Sequence, residues 1–131
     1  MKKYKVGIVG AGGVTELHFE GYKEHPERVE VVALCDPNAE VLHAKADKYG
    51  VPQRFTDLKD FINNSNVDVV VVATPSPIRK QVLFPLIEAG FPIFVEKPFS
   101  DTLEEAIEIT EKAMKHGVHI SVNQNFRRHY P

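Results

Sequence analysis

Short apolar runs rich in valine and isoleucine alternate with helix-like segments along the whole chain, and this alternation limits the fold more than any other feature. "KVGIV" (5–9) precedes a helical pattern over about 13–24, and "VEVVALC" (29–35) precedes one over 39–49 that stops at Gly50. A weak strand at "QRFT" (53–56) leads to a short helix beginning at Asp57. "VDVVVVA" (67–73) then runs through "TPSP" into a helix ending at Gly90. "PIFV" (92–95), a longer helix and "VHISV" (118–122) complete the series. Strands apolar at nearly every position need cover on both faces, as in parallel sheets. Repeated β-α units joined by right-handed crossovers give one expectation: an α/β, doubly wound, mostly parallel sheet with helices on both faces, a single domain over 1–131.

Local signals set the expected boundaries. Ser76 is placed to cap a helix whose first residue is Pro77, where the missing N–H costs nothing. Thr102 and Glu105 have the spacing of a capping box. Leu103, Ala106, Ile107, Thr110 and Ala113 then repeat at helical spacing and predict one buried stripe. Pro85 lies inside "IRKQVLFPLIEAG" and predicts a kink near Gln81.

Composition excludes several classes. With 43% hydrophobic and 26% charged residues and a net charge of −2, the 131-residue chain has the balance of a globular protein. Arg127-Arg128, a single basic pair near the C-terminal end of the sequence, is too little for a nucleic-acid surface. The longest apolar run contains Asp68 and falls far short of the roughly 20 residues that span a membrane. No long apolar stretch resembling a signal peptide precedes Gly7. Cys35 is the single cysteine, which rules out an internal disulfide or a CxxC site and fits a reducing compartment, the cytoplasm. In an apolar strand it reads as a small buried residue. Neither the histidines nor Cys35 have metal-ligand spacing, and no metal site is expected.

In an open parallel sheet the ligand crevice lies beyond the carboxyl ends of the strands. The first strand ends in Gly10-Ala11-Gly12-Gly13, then a helix. Gly10 suits a tight turn, Gly12 lets backbone approach a pyrophosphate, and the helix N-terminus supplies unpaired N–H groups. Thr15 stands where the fingerprint has Gly or Ala and is expected to loosen helix–strand packing. Alone, the loop suits an ordinary βα turn equally well. The second strand ends in Asp36, and an acid about 20 residues past the loop hydrogen-bonds the adenosine ribose in dinucleotide sites. A carboxylate there repels a 2′-phosphate, favouring NAD over NADP. Thr74 and Pro75 end the fourth strand, as a close pass under a cofactor or as a plain turn. Glu96-Lys97-Pro98 ends the fifth, and Asn123-Gln124-Asn125 the sixth. Compatible residues at five strand ends favour a phosphate-holding loop.

Together, "GIVGAGGVTELH", "VALCDPN", "VVVATPSPIRK", "GFPIFVEKPFS" and "NQNFRRHYP" resemble the Gfo/Idh/MocA oxidoreductases, over nearly the whole chain, as their N-terminal NAD(P)-binding Rossmann domain. The E-K-P tripeptide after a strand is the specific part. The resemblance implies that Gly10, Gly12 and Gly13 line the pyrophosphate, with Val14 at the start of the next helix. It implies that Asp36 binds the adenosine ribose, that Thr74 and Pro75 pass near the cofactor, and that Glu96 and Lys97 lie near nicotinamide and substrate. Lys97 is the candidate catalytic residue, its ammonium meeting a substrate hydroxyl as hydride leaves the carbon. His18 stands where relatives often have histidine and equally suits packing, so it is left out of the site.

The implied activity is hydride transfer between NAD and a sugar, polyol or related hydroxy compound. A non-catalytic dinucleotide-sensing module is the alternative, and an S-adenosylmethionine methyltransferase shares the glycine loop without accounting for E-K-P. The family continues into a second domain for substrate and dimerisation. Its expected absence here predicts a domain without turnover, with self-association through Phe99, Phe126 and Tyr130. Lys97–Pro98 is a candidate cis peptide, since X-Pro bonds adopt cis at a cost of roughly 0.5–1 kcal/mol.

Overall fold

A computed structural model describes residues 2–124. In chain order the elements are β1 (Tyr4–Val9), α1 (Thr15–Lys23), β2 (Val29–Cys35), α2 (Ala39–Tyr49), β3 (Gln53–Phe55) and α3 (Leu58–Asn64). They continue with β4 (Val69–Val72), a 3₁₀ turn (Ser76–Ile78) leading into α4 (Arg79–Glu88), β5 (Ile93–Glu96), α5 (Leu103–His116) and β6 (Ile120–Asn123). All six strands are parallel, in the order β3-β2-β1-β4-β5-β6. The chain winds outward from β1 to β3, then crosses back to β4 and winds the other way. The order reverses between β1 and β4, where such sheets open a crevice.

Strand alternation decides which helix covers which face. Val6 and Ile8 of β1, Leu34 of β2 and Val71 of β4 are buried with Phe19 of α1 and Leu42 and Ala46 of α2. Val9, Ala33, Val70, Val72, Ile93 and Val95 point the other way, onto Phe61 of α3, Leu83, Leu86 and Ile87 of α4, and Ile109 and Ala113 of α5. Gly7 explains how α3 comes close: a Cβ there would stand 2.6 Å from the Phe61 ring, which is fully buried. Three helix starts, those of α2, α3 and α5, are capped by side chains. Asn38 accepts from the Val41 N–H, Asp57 from Lys59, and Thr102 from Glu105.

Two local expectations need correction. Ser76 caps nothing. Its hydroxyl instead bonds the Asp101 carboxylate, and the turn it opens has no side-chain cap. Pro85 lies inside α4, which runs from Arg79 to Glu88. The buried Leu83, Leu86 and Ile87 on both sides of the proline hold the helix against the sheet. The α5 stripe is also rotated: Ile109 and Ala113 are buried, whereas Leu103 is 73% exposed and Ile107 47%. α5 is the last helix of its layer, beside edge strand β6, and among the helices packs chiefly against α4. A helix with one main helical neighbour buries a narrow face, and apolar residues on its outer flank stay exposed.

Candidate functional site

The turn after β1 is held from three sides. Gly10 has φ +108°, and a Cβ on it would stand 2.9 Å from the backbone C and O of Ala73. Only glycine fits between β1 and the end of β4. The Gly10 N–H donates to the Cys35 carbonyl at 2.8 Å, and the Thr15 hydroxyl donates to the Gly10 carbonyl at 2.7 Å. Thr15 therefore ties the loop to the first turn of α1 rather than loosening it. Its side chain is fully buried and its hydroxyl is satisfied.

Gly12 and Gly13 have a different reason to be glycine. Neither has positive φ, and a Cβ at either would meet no protein atom within 4 Å. Among the described residues no protein acceptor takes the N–H of Gly12, Gly13 or Val14, the cap of α1. These amides stand at a helix N-terminus, a position suited to an anion. Lys45 of α2 reaches across at 3.0 Å to Glu16, which it and Lys48 hold below the ordinary carboxylate range.

Beside this loop, Asp36 accepts from the Ala11 N–H and the Asn38 N–H, each at 2.9 Å. Both carboxylate oxygens are thereby oriented at the end of β2, half-buried. A cleft of about 870 Å³ brings together Gly10, Gly12, Gly13, Val14, Asp36, Thr74 and Pro75, seven of the nine expected cofactor residues. That volume suits a small-molecule site. Thr56 and Asp57, after β3, add a wall that the sequence reading missed. Cys35 also borders the cleft, and burial first, then Asp36 and Asp57, pushes its thiol up to about 12.

Glu96 and Lys97 do not line this cleft. Glu96 is 7% exposed and turns toward α1 and β6: its Oε1 pairs with His18 Nε2 at 2.7 Å and accepts from Asn123 Nδ2 at 2.8 Å. Burial and the Glu96 carboxylate raise the Tyr22 hydroxyl to about 12. His18, left out of the site, thus joins it through Glu96. The signal was present, since Thr15, His18, Phe19 and Tyr22 share one face of α1 at helical spacing. Lys97 is exposed, and the Lys97–Pro98 peptide is cis. Phe99 is half-buried against the core and borders a groove with Ala113 and Met114 of α5. Asn125, Phe126 and Tyr130 lie outside the described residues.

Arg79 was also missed. It is 1% exposed, and its guanidinium donates to the carbonyls of Glu96 (2.6 Å), Pro98 (2.7 Å) and Thr74 (2.8 Å). A longer bond runs to Phe99 at 3.4 Å. Burial pushes its pKa down, and the Glu96 and Asp101 carboxylates push it back up.

Comparison with known proteins identifies the family to which this fold belongs. Residues 4–124 match the GFO_IDH_MocA family, described as "Oxidoreductase family, NAD-binding Rossmann fold". Inositol 2-dehydrogenase of Corynebacterium glutamicum (strain R) is 33% identical over 114 residues, covering 87% of this chain and 34% of that protein. D-apiose dehydrogenase of Paraburkholderia graminis is 28% identical, covering 97% of this chain and 34% of that one. The WlbA dehydrogenase of Bordetella pertussis, solved in complex with NADH and UDP-GlcNAcA, superimposes with a TM-score of 0.92 at 30% identity, over 97% of this chain and 39% of its own. The chain spans about a third of the length of the curated relatives it matches. It belongs to the Gfo/Idh/MocA oxidoreductase family and has that family's NAD-binding Rossmann fold.

Proposed function

We propose that the cleft holds NAD, with the adenosine ribose on Asp36, the pyrophosphate against Gly10, Gly12, Gly13 and Val14, and the nicotinamide half running past Thr74 and Pro75 toward Glu96 and Lys97. The observation that carries this reading is the pair Gly12 and Gly13: their missing side chains leave room that no protein atom uses, beside three unpaired amides. An oriented carboxylate stands next to that room, suited to a ribose diol and opposed to a 2′-phosphate.

On this reading the domain is the cofactor half of a dehydrogenase acting on a sugar, polyol or related hydroxy compound, the substrate class that the names of its relatives suggest. NAD, when bound, supplies hydride acceptance at the nicotinamide ring. Lys97 would hold the substrate hydroxyl by a charged hydrogen bond, stabilising negative charge on the oxygen. Glu96 is held by His18 and Asn123, which orients the segment that carries Lys97. A second domain would close the site and fix the substrate, with the whole protein in the cytoplasm. Self-association would use the surface that domain leaves.

Calorimetric titration of this chain with NADH and NADPH tests the reading. NADH should bind more tightly, and Asp36→Ala should narrow the gap by weakening NADH and relieving the repulsion of NADPH. Equal or tighter NADPH binding by the unaltered chain would refute the assignment of Asp36.

A further inference from the structure

Arg79 is the largest fully buried side chain and belongs to no ion pair among the described residues. It leaves α4 at its first residue and runs beneath two separate strand ends. Nη2 donates to Thr74, in the segment after β4, while Nη1 donates to Glu96 and Pro98, on either side of Lys97 after β5. One planar group thus bonds carbonyls that border the cleft and carbonyls that bracket Lys97. A carbonyl accepting from a cation forms a stronger bond than one accepting from a neutral donor. A guanidinium, with donors fixed in one plane, sets the angle between its acceptors as well as their distance.

Resting on the cofactor reading above, we propose that Arg79 is a positioning residue, a buried clamp that fixes the Glu96–Phe99 segment relative to Thr74 and so sets the backbone that the nicotinamide half of the bound dinucleotide runs past. The adenosine half lies on the other side of the glycine loop, at Asp36 and the end of β2, and no Arg79 bond reaches it. The two halves of the ligand should therefore respond differently to loss of the clamp. NADH spans both, whereas ADP-ribose carries only the adenosine, pyrophosphate and terminal ribose.

The test compares NADH and ADP-ribose by calorimetry on the unaltered chain, Arg79→Met and Arg79→Lys, with a thermal melt of each. The unaltered chain should prefer NADH. In Arg79→Met that preference should fall about tenfold, the scale of one or two lost charged bonds, while ADP-ribose affinity stays within about twofold. Arg79→Lys should fall between, because an ammonium can meet one of the two segments but cannot fork across both. A purely structural role would lower both affinities together, and that result overturns the proposal. So does an unchanged preference in Arg79→Met, no preference in the unaltered chain, or failure of both variants to fold at low temperature. If the unaltered chain binds neither ligand, the cofactor reading itself fails, before any variant is compared.

Discussion

Gly10→Ala and Gly12→Ala place the same methyl group two residues apart and should have opposite effects. At position 10 the backbone has φ +108°, and the new Cβ would stand 2.9 Å from Ala73 C and O and 3.1 Å from Thr74 N. The positive φ costs an alanine roughly 1–2 kcal/mol. The contacts are with backbone at a strand end, which cannot rotate away, so overpacking adds about 1–3 kcal/mol. The sum, roughly 2–5 kcal/mol, is a large share of the 5–15 kcal/mol typical of a domain. At about 4 °C per kcal/mol for a chain of this size, the melting temperature should drop by roughly 8–20 °C. At position 12 the Cβ meets nothing, and the melting temperature should stay within about 0.5 kcal/mol equivalent of the unaltered chain. Binding separates the pair the other way. A methyl in the room beside the unpaired amides should displace a phosphate and cost one or more charged hydrogen bonds, about tenfold or more in NADH affinity. Thermal melts without ligand and calorimetric titration with NADH provide both readings. A Gly12→Ala variant that melts as low as Gly10→Ala, or binds NADH as the unaltered chain does, would refute this division of roles.

Two further outcomes follow from the same geometry. The Cys35 thiol, held up at about 12 by burial, Asp36 and Asp57, should resist alkylation in the folded chain at pH 8 and react at once in urea. Because its neutral form is favoured on folding, its contribution to stability is complete below the ordinary value of about 8.5 and is lost as pH rises toward 12, so the melting temperature of Cys35→Ala should fall less over that range. Lys97→Met should leave NADH affinity within about twofold, since the side chain stands outside the cleft, yet remove sugar or polyol turnover in a protein that joins this domain to the second one proposed. Retained turnover would end the catalytic assignment of Lys97.

The sheet was legible because its information is local. Each central strand is a run of β-branched residues between glycine, proline or aspartate breaks, and both faces are covered as such runs require. The glycine loop was legible for the same reason, with Gly10, Gly12, Gly13 and Asp36 each at a strand end. The rotation of α5 was not. Leu103, Ile107 and Met114 are as apolar as any inward residue, and only the place of α5 beside the edge of the sheet, with α4 as its main helical neighbour, selects Ile109 along with the expected Ala113. Helical spacing gives a face but not which neighbour it meets.

The polar residues under the site were hardest to read, because their meaning lies in partners far along the chain. Glu96 after a strand suggested direct contact with a cofactor, yet its partners are 78 and 27 residues away, at His18 and Asn123. Arg79 stands at i, i+3, i+4 and i+7 with Val82, Leu83 and Leu86, a spacing that puts it on the buried face of α4 and should itself have raised the question of what satisfies a buried guanidinium. Burial of a cation is costly unless hydrogen bonds compensate. Here the compensating acceptors are backbone carbonyls, which no side-chain pattern records. A charged residue on the apolar stripe of a helix that follows a strand end is therefore a reason to look for irregular backbone nearby. Irregular backbone at a strand end has carbonyls without ladder partners, and a buried arginine is one of the few side chains able to satisfy several of them at once.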